Sequence, residues 1–216
     1  LVTVIAVLGV IPYISLQLKA ISGSFAILLH YPEIVMPAQA VAQHAFQDSA
    51  LYIAMILAAF TILFGTRHLD ATERHEGLVA AIAFESVVKL LAFLVVGAFV
   101  TFGIYEGFGD IFRKAQEVAR LRPLLEVGSA GAGYGTWAFL TFLSMLSVMF
   151  LPRQFQIAVV ENVDENHLGK AIWLFPLYLL LINVFVLPVA LGGLMLFPSG
   201  VDADTFVLTV PMAHHR

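Results

Sequence analysis

The sequence predicts an all-α membrane protein of about five transmembrane helices. Three observations carry that expectation. Hydrophobic residues make up 60% of the 216 and charged residues only 12%, against about 25% charged in an ordinary soluble domain. Mean hydropathy is +0.92. Five apolar runs are each long enough, near 20 residues, to cross the hydrocarbon layer, and only helices can cross singly with every backbone group satisfied. The third run also holds an acid and a base, Glu85 and Lys89. Charges in hydrocarbon are costly, so they face a bundle interior or a wet cavity and find partners. At i and i+4 on a helix these two can partner each other.

The first span runs from about 1 to 21. Gly9, Tyr13 and Gln17 fall on one stripe beside Pro12. A small residue with two hydrogen-bonding ones fits an inward face, either as a solute-facing wall or as ordinary helix packing. Residues 23–48 are moderately apolar, carry Pro32 and Pro37 and are expected to hold a short surface helix. The second span covers about 50–66. The charged link 67–76 follows, and its Asp70-Ala71-Thr72-Glu73 has the form of a capping box.

The third span covers about 77–103. Its Glu85–Lys89 pair has two readings: a coupling or gating element, or a structural pair that fixes helix rotation. Next, Phe108, Ile111, Phe112, Ala115 and Val118 recur at helical spacing. With Asp110–Lys114 and Arg113–Glu117 as pairs, this predicts an amphipathic helix lying at the membrane interface. Gly128, Gly131, Gly133 and Gly135 form a flexible approach to the next span. They lack the Lys-Ser/Thr ending of a phosphate loop.

The fourth span, about 136–160, contains Leu151-Pro152-Arg153-Gln154-Phe155-Gln156. Proline removes a donor and clashes with the carbonyl four residues back, so the helix kinks or opens there. A broken helix with polar groups is one way transporters build a solute site. Alternatively, Pro152 kinks the helix near its end and Arg153 snorkels to the headgroups. The fifth span covers about 171–197, and no folding role is evident for Met212–Arg216.

The chain opens apolar on Leu1, without a basic leader or small-residue cleavage site, and is expected to be a piece of a longer membrane protein. The net charge of −4 includes no basic run, so nucleic acid is not an expected partner. With no cysteine, disulfides, thiolate metal sites and thiol catalysis drop out. The seven histidines do not cluster at ligand spacing apart from the terminal His214–His215, and no catalytic arrangement stands out. No metal ligand is assigned in this chain.

Several motifs match one family. Ile11-Pro12-Tyr13-Ile14-Ser15-Leu16-Gln17-Leu18-Lys19-Ala20 resembles a span of the sodium:solute symporters, and Asp202-Ala203-Asp204-Thr205-Phe206-Val207 resembles a loop before a later span. The resemblance covers essentially the whole chain in order. Phe64-Gly65-Thr66-Arg67-His68-Leu69-Asp70, Phe84-Glu85-Ser86-Val87-Val88-Lys89, Leu151-Pro152-Arg153-Gln154-Phe155 and Val159-Val160-Glu161-Asn162 look like the branch fused to bacterial sensor histidine kinases. Ordinary symporters tend to carry Gly-Gln-Pro near Leu151–Arg153, and an Asp with a Gln in place of Glu85 and Lys89.

This resemblance implies a fragment of a leucine-transporter-like inverted-repeat bundle in a bacterial inner membrane. The chain would hold the third to fifth helices of one half and the first two of the other. It implies Tyr13, Gln17, Gln154 and Gln156 as solute-facing candidates, with Glu85, Lys89, Pro152 and Arg153 in structural or gating roles. Sodium, the family's coupling ion, would bind through residues outside this fragment. Counting Lys and Arg favours one side as cytoplasmic by a single residue. The family topology implies the opposite, with 67–76 and 161–170 in the cytoplasm. The function expected is solute sensing, with transport as a second capacity, as input to a two-component sensor histidine kinase. Its partners would be the lipid bilayer, a small-molecule solute and, through kinase domains beyond Arg216, a response regulator. The alternatives are a sodium-coupled transporter of an amino acid or organic acid, and a structural bundle.

Overall fold

The protein is seen here as a computed structural model that describes residues 2–34, 36, 49–64, 76–126, 133–150, 159, 162 and 164–214. The described residues are helical and include no strand. Helices α1 (Val2–Leu29), α2 (Ser49–Phe64) and α3 (Glu76–Ala98) come first, and α3 continues as a π-helical segment, Phe99–Ile104. Then come α4 (Phe108–Glu117), α5 (Arg122–Leu125), α6 (Tyr134–Phe150), α7 (Asn166–Val184), α8 (Val186–Leu196) and α9 (Phe206–His214).

Three stretches are long and apolar enough to cross a membrane: Val7–Leu29, Val79–Ile104 and Asn166–Leu196. The remaining two expected spans are shorter in the described residues. Helix α2 has 16 residues and α6 has 17, about 24–26 Å at 1.5 Å per residue against a hydrocarbon core of about 30 Å. The end of the expected fourth span falls in 151–158, outside the described residues. So do Asp70–Glu73 and half of the segment 23–48 expected to hold a surface helix.

Where that last segment is described, it differs from expectation. Helix α1 continues two turns past Ile21 to Leu29, because Ala26, Ile27, Leu28 and Leu29 extend the apolar helix-forming run. It stops before Pro32, whose ring disfavours helical backbone in the residue preceding it. The glycine-rich approach is also shorter, since Tyr134 and Gly135 already belong to α6.

The chain divides into two units, one of residues 1–71 with 197–216 and one of residues 72–196. In the first, α1 packs on α2. The Asp202 side chain accepts the Asp204 backbone N–H at 3.2 Å and so caps a 3-10 turn, Ala203–Thr205. That turn leads into α9, where Phe206 stacks on Phe197 at 6.1 Å. Met212 is buried, so Met212–His214 do have a folding role: they close a helix.

The second unit contains the two long stretches that face each other. Gly97 lies under Phe185, and further along Gly192 lies against Val100 and Tyr105. Both positions increase together, so α3 with its π-segment runs parallel to α7–α8. The absence of a side chain at Gly97 sets how closely they approach, since a Cβ there would collide with Phe185. Helix α7 starts five residues before the expected boundary. Asp164 explains this: its Oδ1 accepts the Asn166 backbone N–H and Nδ2 at 2.9 Å each, as an N-terminal cap does.

Helix α4 is amphipathic as its spacing predicts, but its apolar face packs on protein. Ile111 and Ala115 are fully buried and form a core with Leu121 and with Leu191 of α8. Tyr105, Phe112, Val118, Leu125, Leu194 and Met195 pack around them.

Candidate functional site

The pair inside the third span forms as the spacing allows. Lys89 Nζ lies 2.5 Å from a Glu85 carboxylate oxygen. Within this chain it faces outward, with the Lys89 and Glu85 side chains 70% and 58% exposed. The expected inward orientation is therefore not met inside the unit, because α3 spends its inner side on Phe185 and α8. A charged pair on the outer side of an apolar span must meet polar protein groups or water to be tolerated in a membrane.

The α1 stripe also faces outward. Tyr13 is exposed, as are Gly9 and Gln17, and a Cβ built at Gly9 meets no atom within 4 Å. Pro12 sits inside the helix without ending it. Pro152, Arg153, Gln154 and Gln156 lie outside the described residues. Of the expected solute-facing residues, Tyr13 and Gln17, both on α1, are described.

It does show an interruption the sequence reading missed. The stretch read as one fifth span is broken at Phe185 (φ −101°, ψ 2°) between α7 and α8. Pro188 causes it: the residue has no N–H for the carbonyl of Val184, and its ring crowds that position. The Asn183 Nδ2 donates to the Leu179 carbonyl at 2.7 Å, which ties the last turn of α7 at its edge. The legible signal was a proline inside an apolar run next to the run's one amide side chain. The neighbouring span is irregular just beyond this level: Phe185 faces Gly97, and the π-segment starts at Phe99 and runs beside α8. Single π-turns inside helices recur at functional positions.

Above this level lies a polar cluster. Asp110 is buried, 8% exposed, on α4. It accepts from Lys114 at 2.7 Å and from Arg113 at 2.5 Å. The Glu106 backbone N–H reaches it at 3.3 Å. The Asp110–Lys114 pair follows the expected spacing. Arg113 turns back to Asp110 instead of forward to Glu117, because the buried carboxylate offers a second oxygen in reach.

The Lys114 hydrogen bond, with the Glu106 N–H and Arg113, holds the Asp110 carboxyl below the usual carboxylate range despite its burial. Lys114 is raised, chiefly through its bond to Asp110. Its Nζ also lies 5.2 Å from the centroid of the Tyr105 ring, and burial pushes the Tyr105 hydroxyl above its usual value. The Tyr105 O–H donates to the Gly192 carbonyl at 3.4 Å. Arg120 Nη2 donates to the Leu194 carbonyl, near the end of α8 where carbonyls lack helical partners.

Among the described residues, no group of three His, Asp or Glu side chains could hold a metal ion. The Asp110 cluster is internally paired within α4 and the turn before it. No family model, curated protein or solved structure matches the chain.

Proposed function

We propose that the chain is a symporter-like membrane module that senses, and in a second capacity transports, a small solute as the input domain of a two-component sensor histidine kinase. What carries the reading is the run Phe84-Glu85-Ser86-Val87-Val88-Lys89 together with Leu151-Pro152-Arg153-Gln154-Phe155, in that order and separation. Two features of the fold support it. The Glu85–Lys89 pair on an apolar span calls for a polar neighbourhood in the membrane. The two facing long stretches are parallel, so a chain that crosses with both must recross between them. Helix α6 with residues 151–158 is the apolar segment available for that return. This supports a fourth crossing besides the three long stretches.

The test uses the full-length protein in lipid vesicles, with a panel of amino acids and organic acids, and reads autophosphorylation. A dose-dependent change with one solute is expected. Pro152→Ala should shift that response while keeping or raising melting temperature, because alanine lets the helix close. Gln154→Ala should weaken the response without stabilising. Unshifted curves for both variants would reject the solute site at 152–156. A complete reading frame without dimerisation and ATP-binding domains would reject the kinase role.

A second reading, a sodium-coupled transporter of an amino acid or organic acid, is favoured by the broken α7–α8 stretch, since discontinuous helices commonly line solute paths. Sodium-dependent uptake with no phosphorylation would select it.

A further inference from the structure

The two adjacent long stretches of the second unit are irregular at neighbouring levels, with Phe185 facing Gly97 and the π-segment beginning at Phe99. One breaks at Phe185; the other turns π-helical at Phe99–Ile104. Regular helix resists bending, and sharp bends concentrate at prolines and π-turns. Two neighbouring helices weakened at neighbouring levels can bend together, whereas one weakened helix beside an intact neighbour is held straight.

Beyond those levels the contacts are dense. Helix α8 is tied to α4 through the buried core of Ile111, Ala115, Leu121 and Leu191. Arg120 reaches the Leu194 carbonyl, and Tyr105 reaches that of Gly192. Arg122 Nε donates to the Gln116 carbonyl at 2.6 Å, so the α5 segment is tied back to α4. Well-packed apolar cores with satisfied polar groups move as units. Three phenylalanines link the joints to α4. Phe102 meets Phe108 edge-on at 5.9 Å, and Phe108 stacks on Phe185 at 5.7 Å. Ring faces can slide across one another at low cost, unlike interlocked aliphatic chains. Gly107, at φ 111°, joins the π-segment to α4 in backbone that favours glycine.

We propose that α4, α5 and α8 form one rigid body that swings on two side-by-side joints, the Phe185 break and the π-helical turn. The Phe102–Phe108–Phe185 rings are the sliding contact, and the Phe185 seat over Gly97 limits the motion. Loop and element-terminal residues that absorb backbone change are the usual hinges of membrane and soluble proteins alike. The device does not depend on the solute reading, and it would serve any gating of this bundle.

The chain has no cysteine, so paired cysteines can be introduced for spin labels, with any cysteine elsewhere in the protein replaced. Distance distributions are measured in the full-length protein in lipid. The pair Leu180→Cys with Glu117→Cys crosses the joints; Glu117→Cys with Leu196→Cys lies within the moving body. The crossing pair should give a distribution about twofold broader, or two populations, while the internal pair stays narrow. Pro188→Ala supplies the missing N–H and should narrow the crossing pair while leaving the internal pair unchanged. Equal widths in the wild-type background overturn the proposal, and that comparison stands even if Pro188→Ala does not accumulate. A crossing distribution unmoved by Pro188→Ala in folded protein overturns the Phe185 joint as well.

Discussion

Glu85 and Lys89 are bound to each other at 2.5 Å on the outer side of a membrane-length helix. A single charge at a helix centre costs about 2.5–3.5 kcal/mol to insert on biological scales, and a pair removes only part of that. Lys89→Met removes the Lys89 ammonium from Glu85 and should reduce folded yield in the membrane. Lys89→Met with Glu85→Gln should recover much of it, since both charges are gone. Equal yields for wild type and Lys89→Met would show that the pair sits in water. Asp110 makes a different prediction, because it lies outside the spans and its partners are known. Its carboxyl is depressed, so its stabilising contribution is complete above the ordinary carboxylate range and disappears as pH falls through the lowered value. Lys114 is raised, so its contribution persists through neutral pH and is lost only above the ordinary lysine range. Hydrogen exchange of α4 amides, corrected for intrinsic rates, should stay slow from neutral pH down to the ordinary carboxylate range and quicken as pH falls from there through the lowered value. Asp110→Asn should exchange faster at neutral pH and lose the acid transition. An acid transition unchanged in Asp110→Asn would assign it to another carboxylate. The i,i+4 pairs were legible in the sequence because helical geometry alone brings them together. The choice of Arg113 for Asp110 was not, since it depends on which carboxylate the fold buries.

Among elements, Gly97 controls the approach of α3 to the joint between α7 and α8. Gly97→Ala places a methyl where the Phe185 side chain sits, so the helices must separate or Phe185 must leave its seat. Overpacking of this kind costs about 1–3 kcal/mol, and the melting temperature of the purified protein should fall accordingly. Gly9→Ala, with nothing within 4 Å of the added carbon in this chain, is the control and should change it little. Equal effects would place the Gly9 stripe in a packed interface and weaken the Gly97 contact. The helices themselves were readable from hydropathy, and the amphipathic α4 from its spacing. What covers the α4 apolar face was not. Ile111 and Leu191 are 80 residues apart, and periodicity tells which side of a helix is apolar but not whether lipid or protein meets it. The Phe185 joint was hidden in an apolar run that hydropathy reads as continuous, although Pro188 marked it. Proline in a membrane span is tolerated where neighbours re-satisfy the backbone, so its presence does not say whether the helix bends or breaks.

For the whole molecule, the reading depends on the chain crossing the bilayer repeatedly. Three stretches have the length and apolarity to do so. If both parallel stretches cross, the chain between them has to return, and α6 is the apolar helix described there. Solute sensing or transport needs such a closed set of crossings, because a polar path has to be walled from lipid on every side. The most direct measurement is sidedness. Gln116→Cys on α4 and His167→Cys at the start of α7 are separated by that return segment. Each is labelled with a membrane-impermeant thiol reagent in sealed vesicles of known orientation, in the full-length protein with other cysteines replaced. The account predicts that the two label from opposite faces of the membrane, with Leu91→Cys in the middle of α3 labelling from neither. Gln116→Cys and His167→Cys labelling from the same face would mean that α6 does not cross, and would contradict the account.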